Sequence, residues 1–213
     1  MTLETTAERV TLPLADPFTI SRSTQTDAEN LIVTVTDEAG HTGVGGAAPS
    51  KHYGETADTV AAVLSDLLAD VESVGDPHAL KQIETRMRST VADNPAARCA
   101  VSIAMWDLAA KRVDLPLYRL WGLDPSATPV TSFTVGIDTT ARMREKAAAA
   151  AEAGYSVLKG KLGGDRDREI VEAVRDAAPA ATLRVDANEA WTPREAVMKS
   201  GWLADLVVVN YAN

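Results

Sequence analysis

The chain has 213 residues, is 46% hydrophobic and carries a formal net charge of −9. That composition is ordinary for a globular protein of one large or two small domains. The acidic balance, with no basic patch or stripe, argues against DNA, RNA or an anionic membrane surface as partner. No stretch approaches the roughly 20 apolar residues that span a bilayer. The opening residues, MTLETTAERVTLPL, have acids early and no long apolar core, so they do not read as a secretory signal. A soluble, cytoplasmic protein is expected. A single cysteine, Cys99, rules out an intrachain disulfide; it lies inside an apolar helical pattern and is expected to be a small buried hydrophobe. Three scattered histidines do not make a zinc site.

The first ~50 residues read as strands. Asn30–Thr36, NLIVTVT, is β-branched and roughly alternating; Asp37-Glu38-Ala39-Gly40 reads as a turn, and His41–Ala47 as the returning strand of an antiparallel meander. Helices follow. Ala57, Val60, Ala61, Leu64, Leu68 and Val71 share one helical face. Gly75-Asp76-Pro77 breaks that helix, with Asp76 expected to cap the next one and Pro77 to open it. A third helix is expected from about Pro95 to Lys111, with Ala97, Val101, Ala104, Met105 and Leu108 on its apolar face. A proline- and glycine-rich loop region, Asp114–Pro129, comes next.

After Pro129 strands and helices alternate. Strands are expected at Val130–Val135, Ser156–Lys161, Thr182–Asp186 and from Leu206 to Val209, with helices at Thr139–Ala153 and Asp165–Ala178. Another helix opens at Thr192-Pro193-Arg194-Glu195, where Thr192 caps, Pro193 takes the first position and Glu195 closes a capping box. Such alternation implies parallel strands with crossover helices, either a doubly wound sheet or a (β/α) barrel. Both put chemistry at the C-terminal ends of the strands.

At those ends stand Lys159 and Lys161, in the run LKGKL, and Asp186 and Asn188, in DANEAW. Residues at i and i+2 of a strand point to one side. If the strands are neighbours and that side is inward, two ammonium groups face a carboxylate and an amide at one barrel mouth. Two close ammonium groups repel, so one releases its proton more easily and becomes a competent general base. Asp186 is a hard oxygen ligand suited to Mg²⁺. A lysine base beside bound Mg²⁺ can remove a proton alpha to a carboxylate, the metal holding the enediolate that forms. The bland readings are a solvated Lys-x-Lys turn and an Asx-turn leading into a helix. The motifs at successive strand ends, in this order and spacing, reinforce one another.

These motifs, with NPAARCAVSIAMWDLAAKRVDLPLYRLWG upstream, resemble the enolase superfamily and, within it, the muconate-lactonizing (mandelate racemase/muconate cycloisomerase) branch. The likeness extends from Val10 to about Ala204. It implies an α/β plus α+β chain: an α+β capping domain, residues 1–125, then the first three or four strands of a modified TIM (β/α) barrel, residues 126–213. It implies Lys161 as acid/base on one substrate face, and Lys159 as the group that eases its deprotonation and helps hold the substrate carboxylate. Asp186 becomes the first Mg²⁺ ligand and Asn188 a substrate or outer contact; a Lys base with Mg²⁺ is this superfamily's general pattern. A homo-oligomer is expected.

The chain departs from the family after Leu206. The family's second ligand is a Glu at the end of the fourth strand, where this chain reads LVVVNYAN, with Asn210 or Ala212 at about that place. The third ligand and the opposite-face lysine would lie beyond Asn213, so the chain is expected to be a C-terminally truncated piece of a longer protein.

Substrate contacts are expected from Arg22 in the TISRST loop, which can pair bidentately with a second carboxylate, from His52 and Tyr53, and from Thr134 at the end of the first barrel strand. The likeness is greatest to dipeptide epimerases of the L-Ala-D/L-Glu type, with muconate cycloisomerase and o-succinylbenzoate synthase sharing the same first-half motifs. A non-catalytic remnant that only binds a partner is the reading from a different class. A nucleotide binder is disfavoured: TVGIDTT lacks the dinucleotide fingerprint, and Gly160-Lys161-Leu162-Gly163-Gly164 lacks the Walker spacing and its Ser or Thr.

Overall fold

Alternating β-branched residues at the start of the chain form a sheet, β1 (Leu3–Ile20), β2 (Ser23–Asp37) and β3 (Thr42–Ala47), in that order. The computed structural model describes residues 2–206 and 208–212, the last four of them by their backbone alone. The first two strands are far longer than NLIVTVT alone and meet at a tight turn over Ser21 and Arg22. β2 runs antiparallel to β3, pairing Leu31 with Ala47 through to Thr36 with Thr42. The turn between them is organised by one carboxylate: Asp37 Oδ1 accepts the N–H groups of Ala39 and His41, each at 2.9 Å, and Arg112 pairs with the other oxygen. Gly40, at φ 84°, completes it.

Two compact units emerge. The first comprises the chain up to Pro13 together with Asp27–Ala127. Against its sheet lie α1 (Ala57–Val74), α2 (Leu80–Thr90) and α3 (Pro95–Arg112), followed by the short α4 (Leu117–Leu120). Most of the expected faces are buried: Ala57, Val60, Leu64, Leu68 and Val71 on α1, where Ala61 is exposed and Leu67 is buried instead, and Ala97, Val101, Ala104, Met105 and Leu108 on α3. Thr56 and Thr59 cap α1 reciprocally, and Gly75, at φ 63°, ends it.

Further expectations are corrected in this unit. Pro77 does not open α2, which starts at Leu80 after Ala79, and Asp76 does not cap it. Its Oδ1 accepts from His78 N at 2.8 Å and its carbonyl from Ala79 N at 3.2 Å, so Asp76 is spent on a local turn. Cys99 is exposed, not buried. The α3 stripe runs through Ala97, Ala100, Val101 and Ala104, and Cys99 turns away from it to a groove between α2 and α3 beside Arg88 and Arg98.

β3 crosses α3 so closely that a Cβ on Gly43 would fall 2.0 Å from the Ala104 carbonyl, and one on Gly45 1.9 Å from the Ala100 carbonyl. Backbone fills that space, and no side chain can yield to make room.

The second unit takes the hairpin segment Leu14–Thr26 together with the chain from Thr128 onward. It alternates β4 (Ser132–Val135), α5 (Thr140–Glu152), β5 (Val157–Lys161), α6 (Asp167–Ala177), β6 (Thr182–Asp186), α7 (Pro193–Asp205) and β7 (Val208–Ala212). The strands are parallel and lie in sequence order, without the reversal of a doubly wound sheet. Thr139 caps α5, and Thr192 with Glu195 forms the expected capping box on α7. The last strand starts later than expected: α7 runs on to Asp205, and the Leu206 carbonyl accepts from Arg175 Nε at 3.1 Å. Leu158, Leu183 and Val185 pack with Met143, Ile170, Val171 and Leu203 in the core between strands and helices. No described helix is long and apolar enough to cross a membrane.

The close crossing predicts a sharp contrast between neighbouring glycines. Gly45→Ala should destabilise the protein by about 3 kcal/mol or more. Gly46→Ala, whose Cβ would meet only Ile32 Cδ1 at 3.7 Å, should be close to neutral. Urea denaturation of both variants checks this; equal losses would mean that β3 and α3 do not meet at Gly45.

Candidate active site

Strand parity decides what faces where. Leu158 turns toward the helices, so Lys159 and Lys161 turn to the opposite side of the sheet. β5 pairs with β6 so that Lys159 lies beside Arg184 and Lys161 beside Asp186. Thr134 on β4 lies beside Lys159. Registered neighbours share a face, so Thr134, Lys159, Lys161 and Asp186 belong to one side of one sheet.

The charged groups converge on a single oxygen. Lys159 Nζ is 2.8 Å and Lys161 Nζ 2.9 Å from Asp186 Oδ2. Lys161 also donates to Asn188 Oδ1 at 2.9 Å. The other carboxylate oxygen, Asp186 Oδ1, accepts from the Asn188 N–H at 2.9 Å. Lys161 and Asp186 are buried, and the Lys159 side chain is about one-third exposed, at 34%. Burial of Asp186 opposes its ionisation. The hydrogen bonds from Lys159 and Lys161 outweigh that cost and hold the carboxyl at about 2, so it is an anion throughout the neutral range.

The turn beyond Asp186 is unusual. Asn188 and Glu189 both have positive φ, 50° and 67°. Asn tolerates this region better than Glu, and two such residues in succession need support. Ser21 Oγ donates to the Asn188 carbonyl at 3.1 Å, and Arg22 pairs with Glu189 at 2.6 Å. Arg22, expected to meet a second substrate carboxylate, is engaged by a carboxylate of the chain itself. His52 and Tyr53 stand in the first unit, both exposed, with ring centroids 4.8 Å apart.

Sequence reasoning missed a group that supports this site. Asp167 is buried, and its oxygens accept from Gly163 N, Gly164 N, Trp191 Nε1 and Lys199 Nζ. Burial opposes its ionisation, and the bonds from Lys199, the two glycines and Trp191 hold its carboxyl below the usual range. In sequence it sits inside Asp165-Arg166-Asp167-Arg168-Glu169, which reads as a solvated charge run. The Trp of DANEAW was the one available signal, since a buried indole N–H needs an acceptor.

Among the described residues no cluster of three or more His, Cys, Asp or Glu could hold a metal ion. Asp186, ionised and at a strand end, is the described residue that fits a hard cation. Backbone register sets Ala212 beside Asp186 on β7. The side chains of Asn210 and Ala212, expected near the second ligand position, lie outside the described residues.

Parallel strands in sequence order, with ionisable groups gathered at their C-terminal ends, are the layout in which barrel enzymes keep their chemistry. The model for the mandelate racemase/muconate lactonizing enzyme N-terminal domain matches residues 2–122, and that for the enolase C-terminal domain-like fold matches 142–209. The chain is 35% identical over 199 residues to the L-Ala-D/L-Glu epimerase of Bacteroides thetaiotaomicron, covering 93% of this chain and 51% of the relative. The crystal structure of a dipeptide epimerase from Cytophaga hutchinsonii, complexed with Mg and D-Ala-L-Val, superposes with a TM-score of 0.89 at 29% identity, over 99% of this chain and 58% of that one. A dipeptide epimerase from Enterococcus faecalis V583, complexed with Mg and L-Leu-L-Tyr, gives 0.89 at 31% identity, over 99% and 60%. The chain belongs to the mandelate racemase/muconate lactonizing enzyme family of the enolase superfamily. It spans about half the length of the curated relatives it matches.

The depressed Asp186 carboxyl gives a pH prediction. An unfolded Asp titrates near ~3.9. A group whose folded pKa lies lower contributes stability above that value and loses it as pH falls toward the folded one. In metal-free buffer, stability should therefore drop between pH ~4 and about 2. Asp186→Asn should flatten that part of the curve while lowering stability at pH 7, where Lys159 and Lys161 would face each other without their shared anion. An unchanged acid slope in the variant would show that the carboxylate is not held by the lysines.

Proposed function

We propose that the protein works as a Mg²⁺-dependent isomerase that removes and returns the proton alpha to a substrate carboxylate, with a dipeptide as substrate and epimerisation of its C-terminal residue as the reaction. The observation that carries this reading is the convergence of Lys159 and Lys161 on Asp186 Oδ2, with Asn188 bonded to Lys161. Names borne by relatives of similar sequence support the substrate class.

Lys161 Nζ is the group that moves the proton. It is buried, and its two acceptors, Asp186 and Asn188, fix its direction. Lys159, more exposed, balances the substrate carboxylate's charge. Asp186 is the residue of this chain that would hold Mg²⁺, and the ion would supply positive charge where the substrate carboxylate gains negative charge as the proton leaves. Thr134 beside Lys159, His52 and Tyr53 of the first unit, and Arg22, which would exchange Glu189 for a substrate carboxylate, are the proposed substrate contacts. Residues 1–125 are taken as the capping domain and 126–213 as barrel, and the whole protein as a cytoplasmic homo-oligomer.

The test is a dipeptide panel incubated with the full-length protein and Mg²⁺ in D₂O. Deuterium should enter the α position of the C-terminal residue with loss of its stereochemical purity. Lys161→Ala should cut exchange on one face by about 10²–10⁴-fold, and added Mg²⁺ should raise the thermal stability of the wild type. Turnover of a muconate or of an o-succinylbenzoate precursor instead would move the assignment to those alternatives. No response to Mg²⁺ and no exchange in any substrate would leave the non-catalytic binding reading.

A further inference from the structure

Gly163 and Gly164 follow Lys161 in the run GKLGG, which fits no phosphate-binding motif, and proton transfer does not use the two glycines. Their amides have another employer. Gly163 N and Gly164 N both donate to Asp167 Oδ1 at 2.9 Å. The second oxygen of the same carboxylate accepts from Trp191 Nε1 at 2.8 Å and from Lys199 Nζ at 2.6 Å. Lys199 Nζ also lies 4.7 Å from the centroid of the Trp191 ring.

These four donors come from three places. The glycines belong to the loop that leaves Lys161, Trp191 ends the turn that leaves Asp186 and Asn188, and Lys199 stands on α7. One carboxylate, 4% exposed in its side chain, therefore ties the loop after the proposed base to the turn after the proposed ligand. The two segments also touch directly. Leu162 N donates to the Asp186 carbonyl at 3.0 Å. A Cβ on Gly163, whose φ is 128°, would fall 2.7 Å from Ala190 Cβ and 2.8 Å from Ser21 Cβ.

We propose that Asp167 is a positioning residue of this site: by gripping both segments it fixes the separation of Lys161 from Asp186 and Asn188. The proposal rests on the functional reading above. The chemistry requires a carboxylate. Asp offers two oxygens to four donors, whereas Asn would offer one oxygen and turn an NH₂ group toward the Lys199 ammonium and the Trp191 N–H. That change leaves the side chain's shape intact while taking an acceptor oxygen away from the buried Trp191 N–H and the part-buried Lys199 ammonium. Misplacing a reacting group by an ångström costs rate more than binding, so the expected signature is a fall in kcat.

The experiment compares Asp167→Asn with Lys199→Met in the full-length protein, at a temperature where both are folded. Lys199→Met removes one donor and its charge but leaves the carboxylate on Gly163, Gly164 and Trp191, so it serves as the stability control. With a dipeptide and Mg²⁺, Asp167→Asn should lower kcat by about 10-fold or more, since such misplacement reaches about 10²-fold, with KM within about 3-fold; Lys199→Met should keep kcat within about 3-fold. Hydrogen–deuterium exchange should rise together in 162–166 and 187–191 for Asp167→Asn only. Equal kcat losses in the two variants, or kcat retained by Asp167→Asn, would overturn the proposal. If Asp167→Asn fails to fold, Trp191→Phe replaces it and should lower kcat several-fold more than Lys199→Met. A wild type that turns over no dipeptide defeats the functional reading, and the paired exchange of the two segments then decides the proposal: exchange rising in one segment alone overturns it.

Discussion

The site depends on one carboxylate shared by two ammonium groups. Lys159 and Lys161 lie one residue apart on β5, so strand pleating turns them to the same side. Without an anion between them the pair would be mutually repulsive in a half-buried place. Asp186, their partner across the parallel pairing, supplies it. The arrangement needs the Lys161–Asp186 register, and a slip of one residue would turn the carboxylate to the helix side. The strand pairing is thus what makes the site a site.

That register is secured from behind. Leu158, Leu183 and Val185 anchor the strands to α5 and α6 through the apolar core. Beyond the strand ends, polar ties take over. Asp186 accepts from the Asn188 amide, Ser21 holds the Asn188 carbonyl, and Asp167 holds the glycine loop and Trp191 together. Two successive non-glycine residues with positive φ persist at Asn188 and Glu189 within this scaffold. Local strain of that kind survives where surrounding contacts over-determine the backbone. Here it lies next to the residues proposed to act on substrate.

Single carboxylates organise both units. In the first, buried Asp37 builds the β2–β3 turn and pairs with Arg112 at the end of α3. In the second, Asp167 and Asp186 do comparable work at the loops. An acidic chain thus spends some of its negative charge as internal fasteners for amides and cations.

Much of this was legible in the residues. Period and capping chemistry revealed the buried faces of α1 and α3, the Thr192 cap of α7 and the strand Thr182–Asp186, because these are local properties carried by neighbouring residues. The i, i+2 spacing alone put each of Lys159 with Lys161 and Asp186 with Asn188 on common sides. Other features were hidden because distant segments determine them. Cys99 sits in an apolar pattern, yet the direction of the α3 stripe exposes it. Asp76 looks like a cap but closes its own turn. Arg22 reads as a free cation until Glu189, far along the chain, meets it. Asp167 is one acid in a charge run, and only folding brings Gly163, Trp191 and Lys199 around it. Residue chemistry and strand parity follow from the order of the residues alone. The tertiary structure decided which charges share an oxygen, because hydrogen-bond partners 24 to 32 residues apart are chosen by packing and not by local preference.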